Sequence, residues 1–116
     1  MFNIPEISVQ EVAAKRASGD TFILIDVRED KELIYANLGK DVAHVPLSEI
    51  AERRLEALPE DIRQNKEAEI VVMCHHGNRS AQVTGWLRQQ GWTNVLNMTG
   101  GIDAYAAQID ASVGRY

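Results

Sequence analysis

Seven consecutive residues, Cys74, His75, His76, Gly77, Asn78, Arg79 and Ser80, bring a thiol, two imidazoles, a guanidinium and a hydroxyl together around one glycine. A thiolate is a strong nucleophile, and it reacts best where hydrogen-bond donors and positive charge stabilise it. Cys74 is the single cysteine of the chain, so it cannot form an internal disulfide. An isolated cysteine is by default a small buried hydrophobe, and here the neighbours argue for more. Gly77 can take left-handed backbone and Asn78 tolerates it, which lets the loop amides turn inward as an anion cradle. Arg79 offers a planar fork of donors matched to an oxyanion. Ser80 can cap the helix that follows or bond to the sulfur. An unperturbed thiol is only about 3% ionised at pH 7. The amides, Arg79 and a protonated His75 or His76 are the groups expected to hold Cys74 as the thiolate. A metal site built from Cys74, His75 and His76 is the weaker reading, because adjacent ligands in a tight loop do not close a tetrahedron and nothing brings His44 near. No metal and no cofactor is expected.

The elements around the loop must deliver this thiol to an edge. Ile70-Val71-Val72-Met73 is a short apolar run that reads as a strand buried on both faces, and it leads straight into Cys74. Phe22 to Val27 reads the same way, with Asp26 and Arg28 near its carboxyl end as supporting residues, most simply an ion pair. Such runs are the mark of a parallel sheet, in which ligands bind beyond the carboxyl ends of the strands. Ser8 and Glu11 form a capping box for a helix from Val9 to about Ser18, stopped by Gly19. Arg28 to Glu32 leads into a short helix, and Val42 to Val45 reads as a short strand before Pro46. Ser48 is placed to cap a helix carrying Ile50, Ala51, Leu55 and Leu58, which Pro59 closes or redirects. Ala81, Val83, Thr84, Trp86 and Leu87 predict a helix ending near Gln90 with Gly91 as its cap. Val95-Leu96 reads as a last strand, and Gly100-Gly101 turns the chain into a helix from Ile102 to about Ile109. The alternation predicts an α/β fold in a single domain, residues 1–116, with a mainly parallel central sheet flanked by helices on both faces.

Composition narrows the setting. Hydrophobic residues make up 45% and charged residues 25% of the chain, near globular averages. The net charge of −5 gives no basic footprint for nucleic acid. No apolar run approaches a membrane span, the first residues lack the pattern of a secretory signal, and the lone thiol fits a reducing compartment. The expectation is a cytoplasmic protein without nucleic-acid or membrane partners, as monomer or homodimer.

The pattern Cys-x-x-Gly-x-Arg-Ser after a buried strand resembles the active loop of single-domain rhodaneses. Leu24-Ile25-Asp26-Val27-Arg28-Glu29, Val45-Pro46-Leu47 and Gly100-Gly101-Ile102-Asp103-Ala104-Tyr105 are similar to three further segments of that family, in the same order. The stretch from Ala36 to Ala43 departs from the family pattern with one apparent extra residue, and Tyr105 stands where a tryptophan is usual. The resemblance implies a rhodanese-like fold and a thiosulfate sulfurtransferase. Cys74 would take sulfane sulfur from thiosulfate or a similar donor, hold it as a persulfide, and pass it to a thiol, to cyanide in an assay, or to a sulfur-accepting protein. His75, His76, Gly77, Asn78, Arg79 and Ser80 would bind the donor. Related phosphatases and arsenate reductases carry one residue more between the cysteine and the arginine, so the four residues here favour sulfur. A carrier that is charged by a partner and turns over poorly is the alternative.

Overall fold

The computed structural model describes residues 3–116. Five parallel strands form one sheet in the order β1-β5-β4-β2-β3. They are β1 (Glu6–Ile7), β2 (Ile23–Asp26), β3 (Ala43–His44), β4 (Ile70–Met73) and β5 (Val95–Met98). The helices are α1 (Val9–Ser18), α2 (Leu47–Arg53), α3 (Glu60–Arg63), α4 (Asn78–Gln89) and α5 (Gly101–Gln108). Three 3₁₀ turns cover Asp30–Ile34, Arg54–Ala57 and Ala111–Val113.

Side chains alternate across a strand, and the buried runs sort themselves accordingly. Ile25, Val27, Val72 and Cys74 pack with Ile50, Ile62, Val83 and Leu87 from α2, α3 and α4. Leu24, Val71 and Met73 pack with Val9, Val12, Ile102 and Tyr105 from α1 and α5. Cys74 therefore continues the alternation of β4 and faces α4. The register sets Asp26 beside Met73, so β2 and β4 end level and deliver Arg28 and Cys74 to the same edge.

Most expected elements are present, with several corrections; helix α3, directly after Pro59, was not among those expected. Strand β1 was not expected; it is two residues long and is fixed by pairing Glu6 with Asn97 and Ile7 with Met98. The helix expected to run through Leu58 breaks at Arg54, which has φ 57°, and continues as a 3₁₀ turn. Its cap is Pro46 rather than Ser48; the Ser48 hydroxyl donates to Glu29 Oε1 instead, at 2.5 Å. Ser80 does not cap α4 either, because Gly77 holds that position with φ 103°. Asn78 is already the first helical residue of α4, and among the described residues Arg54 alone of the non-glycines has positive φ. The departing stretch 36–43 is pinned by two arginines: Arg28 Nη2 donates to Ala36 O at 2.9 Å and Arg16 Nη2 to Leu38 O at 2.9 Å.

Candidate active site

Cys74 leaves β4 almost sealed, at 1% exposure. The loop then closes on the amino end of α4, where main-chain N–H groups have no helical partner and the helix dipole is positive. Gly77 N–H points at Cys74 Sγ from 3.1 Å and Ser80 N–H from 3.4 Å. Ser80 Oγ lies 3.3 Å from the sulfur and 2.6 Å from Asn97 Oδ1. Asn97 Nδ2 donates to Gly77 O at 3.1 Å, which fixes the amide so that Oδ1 faces Ser80. The hydroxyl hydrogen is thus held by Asn97, and the two amides are the donors left for a thiolate. Asn97, buried on β5, was not singled out in the sequence; an asparagine among apolar strand residues was the available signal.

The loop is also fastened from the opposite side of the sheet edge. Ile102 N–H donates to Cys74 O at 2.9 Å and Asp103 N–H to His75 O at 3.1 Å, so the first turn of α5 is satisfied by the loop carbonyls. Gly101, at φ 64°, permits this: a side-chain carbon there would collide with the carbonyl oxygens of Cys74 and His75.

Arg79 is not the free fork the sequence suggested. Its Nη1 and Nη2 donate to the two carboxylate oxygens of Glu32 at 2.7 and 2.9 Å. Glu29 N–H donates to the same carboxylate at 2.8 Å, and the Tyr116 hydroxyl donates at 2.7 Å. Arg79 holds the Glu32 carboxyl down at about 2, against the opposing effect of burial. Burial pushes the Tyr116 phenol up, which keeps its proton in place for this bond. Arg28 Nη1 in turn donates to Tyr116 Oη at 3.2 Å. Arg28 and Asp26 are, as expected, an ion pair: Nη2 to Oδ2 is 2.8 Å, both side chains are sealed, and neither lines the cradle.

His75 stacks on Tyr116 with ring centroids 3.7 Å apart, and on His76 at 3.8 Å. Its Nε2 lies 2.9 Å from the main-chain oxygen of Tyr116, an acceptor only, so Nε2 carries the proton. Burial pushes the His75 imidazole down, with His76 adding to the effect. At neutral pH His75 is therefore a neutral wall of the mouth, not the charged donor considered above; His76 is exposed beside it. One set of side chains with metal-binding chemistry meets here, His75, His76 and Asp103, and it excludes Cys74. Asp103 is committed to Arg115, with Nε–Oδ1 at 3.0 Å and Nη2–Oδ2 at 3.1 Å. Tyr105 lies in the core of the α1 and α5 face, its ring beneath Arg16.

The Rhodanese-like domain family matches this sequence over residues 8–108. The chain belongs to the rhodanese-like family. "Rhodanese-like/PpiC domain-containing protein 12, chloroplastic" of Arabidopsis thaliana is 38% identical, over 97% of this chain and 38% of that protein. "Putative sulfur carrier protein YrkF" of Bacillus subtilis (strain 168) is 33% identical, over 86% of this chain and 50% of its own length. This rhodanese-like chain thus spans half or less of those two relatives. It covers 89% of a sulfurtransferase of Allochromatium vinosum, which is 31% identical over 89% of this chain. Among solved structures, the human single-domain sulfurtransferase TSTD1 superimposes with a TM-score of 0.73 at 25% identity, covering 91% of this chain and 98% of that one. The rhodanese-related protein of Thermoplasma volcanium gives 0.72 at 26% identity, with 90% and 93% covered. The α/β fold with a parallel sheet is the rhodanese fold.

Proposed function

We propose that this rhodanese-like chain is a sulfurtransferase that moves sulfane sulfur through a persulfide on Cys74. The observation that carries the reading is the convergence of the Gly77 and Ser80 amides on a thiol at the carboxyl end of β4. Those donors stabilise a thiolate before attack. The thiolate attacks the outer sulfur of thiosulfate or a similar donor; a bond from Cys74 Sγ to that sulfur forms, and the old bond breaks with its electron pair on the departing sulfite or thiolate. The persulfide then gives its outer sulfur to a thiol, to cyanide, or to a sulfur-accepting protein, and Cys74 is regenerated. This is covalent, two-step transfer. With no second cysteine in the chain, the acceptor is external. His75, His76, Asn78 and Arg79 surround the mouth, and a cytoplasmic, reducing setting suits a thiol that must be regenerated.

The test is to incubate the chain with a sulfur donor, look for the mass gain of one sulfur atom on Cys74, and measure thiocyanate after adding cyanide. Cys74→Ser should lose both signals entirely. A chain that never gains sulfur sinks the proposal. The second reading, a carrier charged by a partner, is supported by the sulfur-carrier name of the Bacillus subtilis relative and predicts charging with negligible turnover.

A further inference from the structure

An arginine beside a nucleophile attracts anionic donors only while its charge is uncompensated. Arg79 is compensated. Glu32 takes two of its N–H groups at 2.7 and 2.9 Å, and the Glu32 side chain is only 14% exposed. That carboxylate is itself fixed at two further points, Glu29 N–H at 2.8 Å and Tyr116 Oη at 2.7 Å, and the buried Arg28 in turn donates to Tyr116 Oη at 3.2 Å. A dianionic donor that claimed Arg79 would leave the half-buried Glu32 carboxylate without its countercharge, held only by the Glu29 amide and the Tyr116 hydroxyl, which is costly. The other charged groups at the mouth do not replace the lost cation. His75 is neutral for the reason given above, and the exposed His76 and Arg115 both face the Asp103 carboxylate. Around the sulfur the Ser80 hydroxyl is taken by Asn97, and the Gly77 and Ser80 N–H groups are the main-chain donors that point at it.

We infer that Glu32, locked by Tyr116 and the Glu29 amide, is a specificity-determining positioning residue. By cancelling the charge of Arg79 it turns Cys74 away from thiosulfate and towards persulfide donors, whose leaving part needs no sulfonate pocket. The inference rests on the Cys74 persulfide reading. In the favoured step the Cys74 thiolate attacks the outer sulfur of R–S–SH. Its bond to R–S breaks, R–S⁻ leaves with the electron pair, and Cys74–S–SH forms with no outside oxidant or reductant.

The experiment is single-turnover charging of the chain by thiosulfate and, separately, by the persulfide of N-acetylcysteine amide, followed by the mass gain on Cys74. The wild type is compared with Glu32→Gln, which keeps a hydrogen-bonding partner for Arg79 but no charge, and with Tyr116→Phe, which removes one anchor of Glu32. The thiosulfate-to-persulfide rate ratio should rise about tenfold in Glu32→Gln and about two- to threefold in Tyr116→Phe. A general loss of packing would lower both rates and leave the ratio where it was. If Glu32→Gln does not fold, Tyr116→Phe alone decides. A ratio unchanged in the folded variants overturns the inference while leaving the persulfide reading intact; failure of both donors to charge wild-type Cys74 overturns the two together.

Discussion

Two carboxylate–guanidinium pairs lie within one hydrogen-bonded chain of this molecule, and they differ chiefly in burial. Asp26–Arg28 is sealed at the carboxyl end of β2, with Arg28 also donating to the carbonyls of Ala36 and Glu32. Glu32–Arg79 sits at the mouth of the Cys74 loop, with side chains 14% and 32% exposed. Tyr116 bridges them, accepting from Arg28 and donating to Glu32. The inner pair closes its donors on main chain, carboxylate and the Tyr116 hydroxyl, so it organises the strand end and has no group to spare for a ligand. The outer pair has the same chemistry but reaches solvent, so its charge balance reaches any ligand that arrives. Burial, not residue type, separates a structural pair from a selective one.

The comparison breaks most visibly at the inner pair. Arg28→Met should destabilise the chain by about 3–5 kcal/mol, because it strands the Asp26 carboxylate in the core. Replacing both Asp26 and Arg28 with apolar residues of similar size should cost less than that single change; urea unfolding measures both. Equal or milder loss for Arg28→Met than for the double change would mean that the inner pair is not sealed as described.

The outer pair should show itself in acid. Glu32 has its ordinary value near 4.5 when unfolded and about 2 when folded. A depressed folded value means that stability is present above the unfolded value and is lost as the pH falls through the folded one. The stability difference between wild type and Glu32→Gln should therefore shrink as the pH drops from 4.5 towards 2. A difference independent of pH over that range would detach Glu32 from Arg79. The smallest effect belongs to the bridge: Tyr116→Phe keeps the stacked ring and should cost about 0.5–1.5 kcal/mol. A double-mutant cycle with Glu32→Gln should give a coupling of similar size, and none if the hydroxyl idles.

Local grammar in the sequence was sufficient for α1, where Ser8, Glu11 and Gly19 state the cap, the box and the stop, and for β2 and β4, whose apolar runs have no other use. It failed where tertiary geometry decided. Ser48 looks like a cap, yet Pro46 is already placed with φ −58° and the hydroxyl serves Glu29 from the next turn over. Strand β1 exists because β5 offers an edge, which two residues cannot announce. At the site, the Cys74 loop is contiguous and was read directly, whereas its modifiers come from afar: Glu32 is 47 residues from Arg79, and Tyr116 is 84 from Glu32. Glu32 accepts from the Glu29 amide at the start of the 3₁₀ turn, but nothing in the local sequence names Arg79 as its partner.

The absence of a side chain at Gly101 reaches further than the turn it allows. Because Ile102 and Asp103 use the carbonyls of Cys74 and His75 to begin α5, the active loop is joined at once to two helices, its amides at the mouth of α4 and its carbonyls at the start of α5. Its dipoles are thus oriented in the free thiol form, ready for the sulfur that the proposed transfer would bring. The work of orienting those dipoles was done when the protein folded, and under the proposed function this preorganisation lowers the reorganisation each transfer would need.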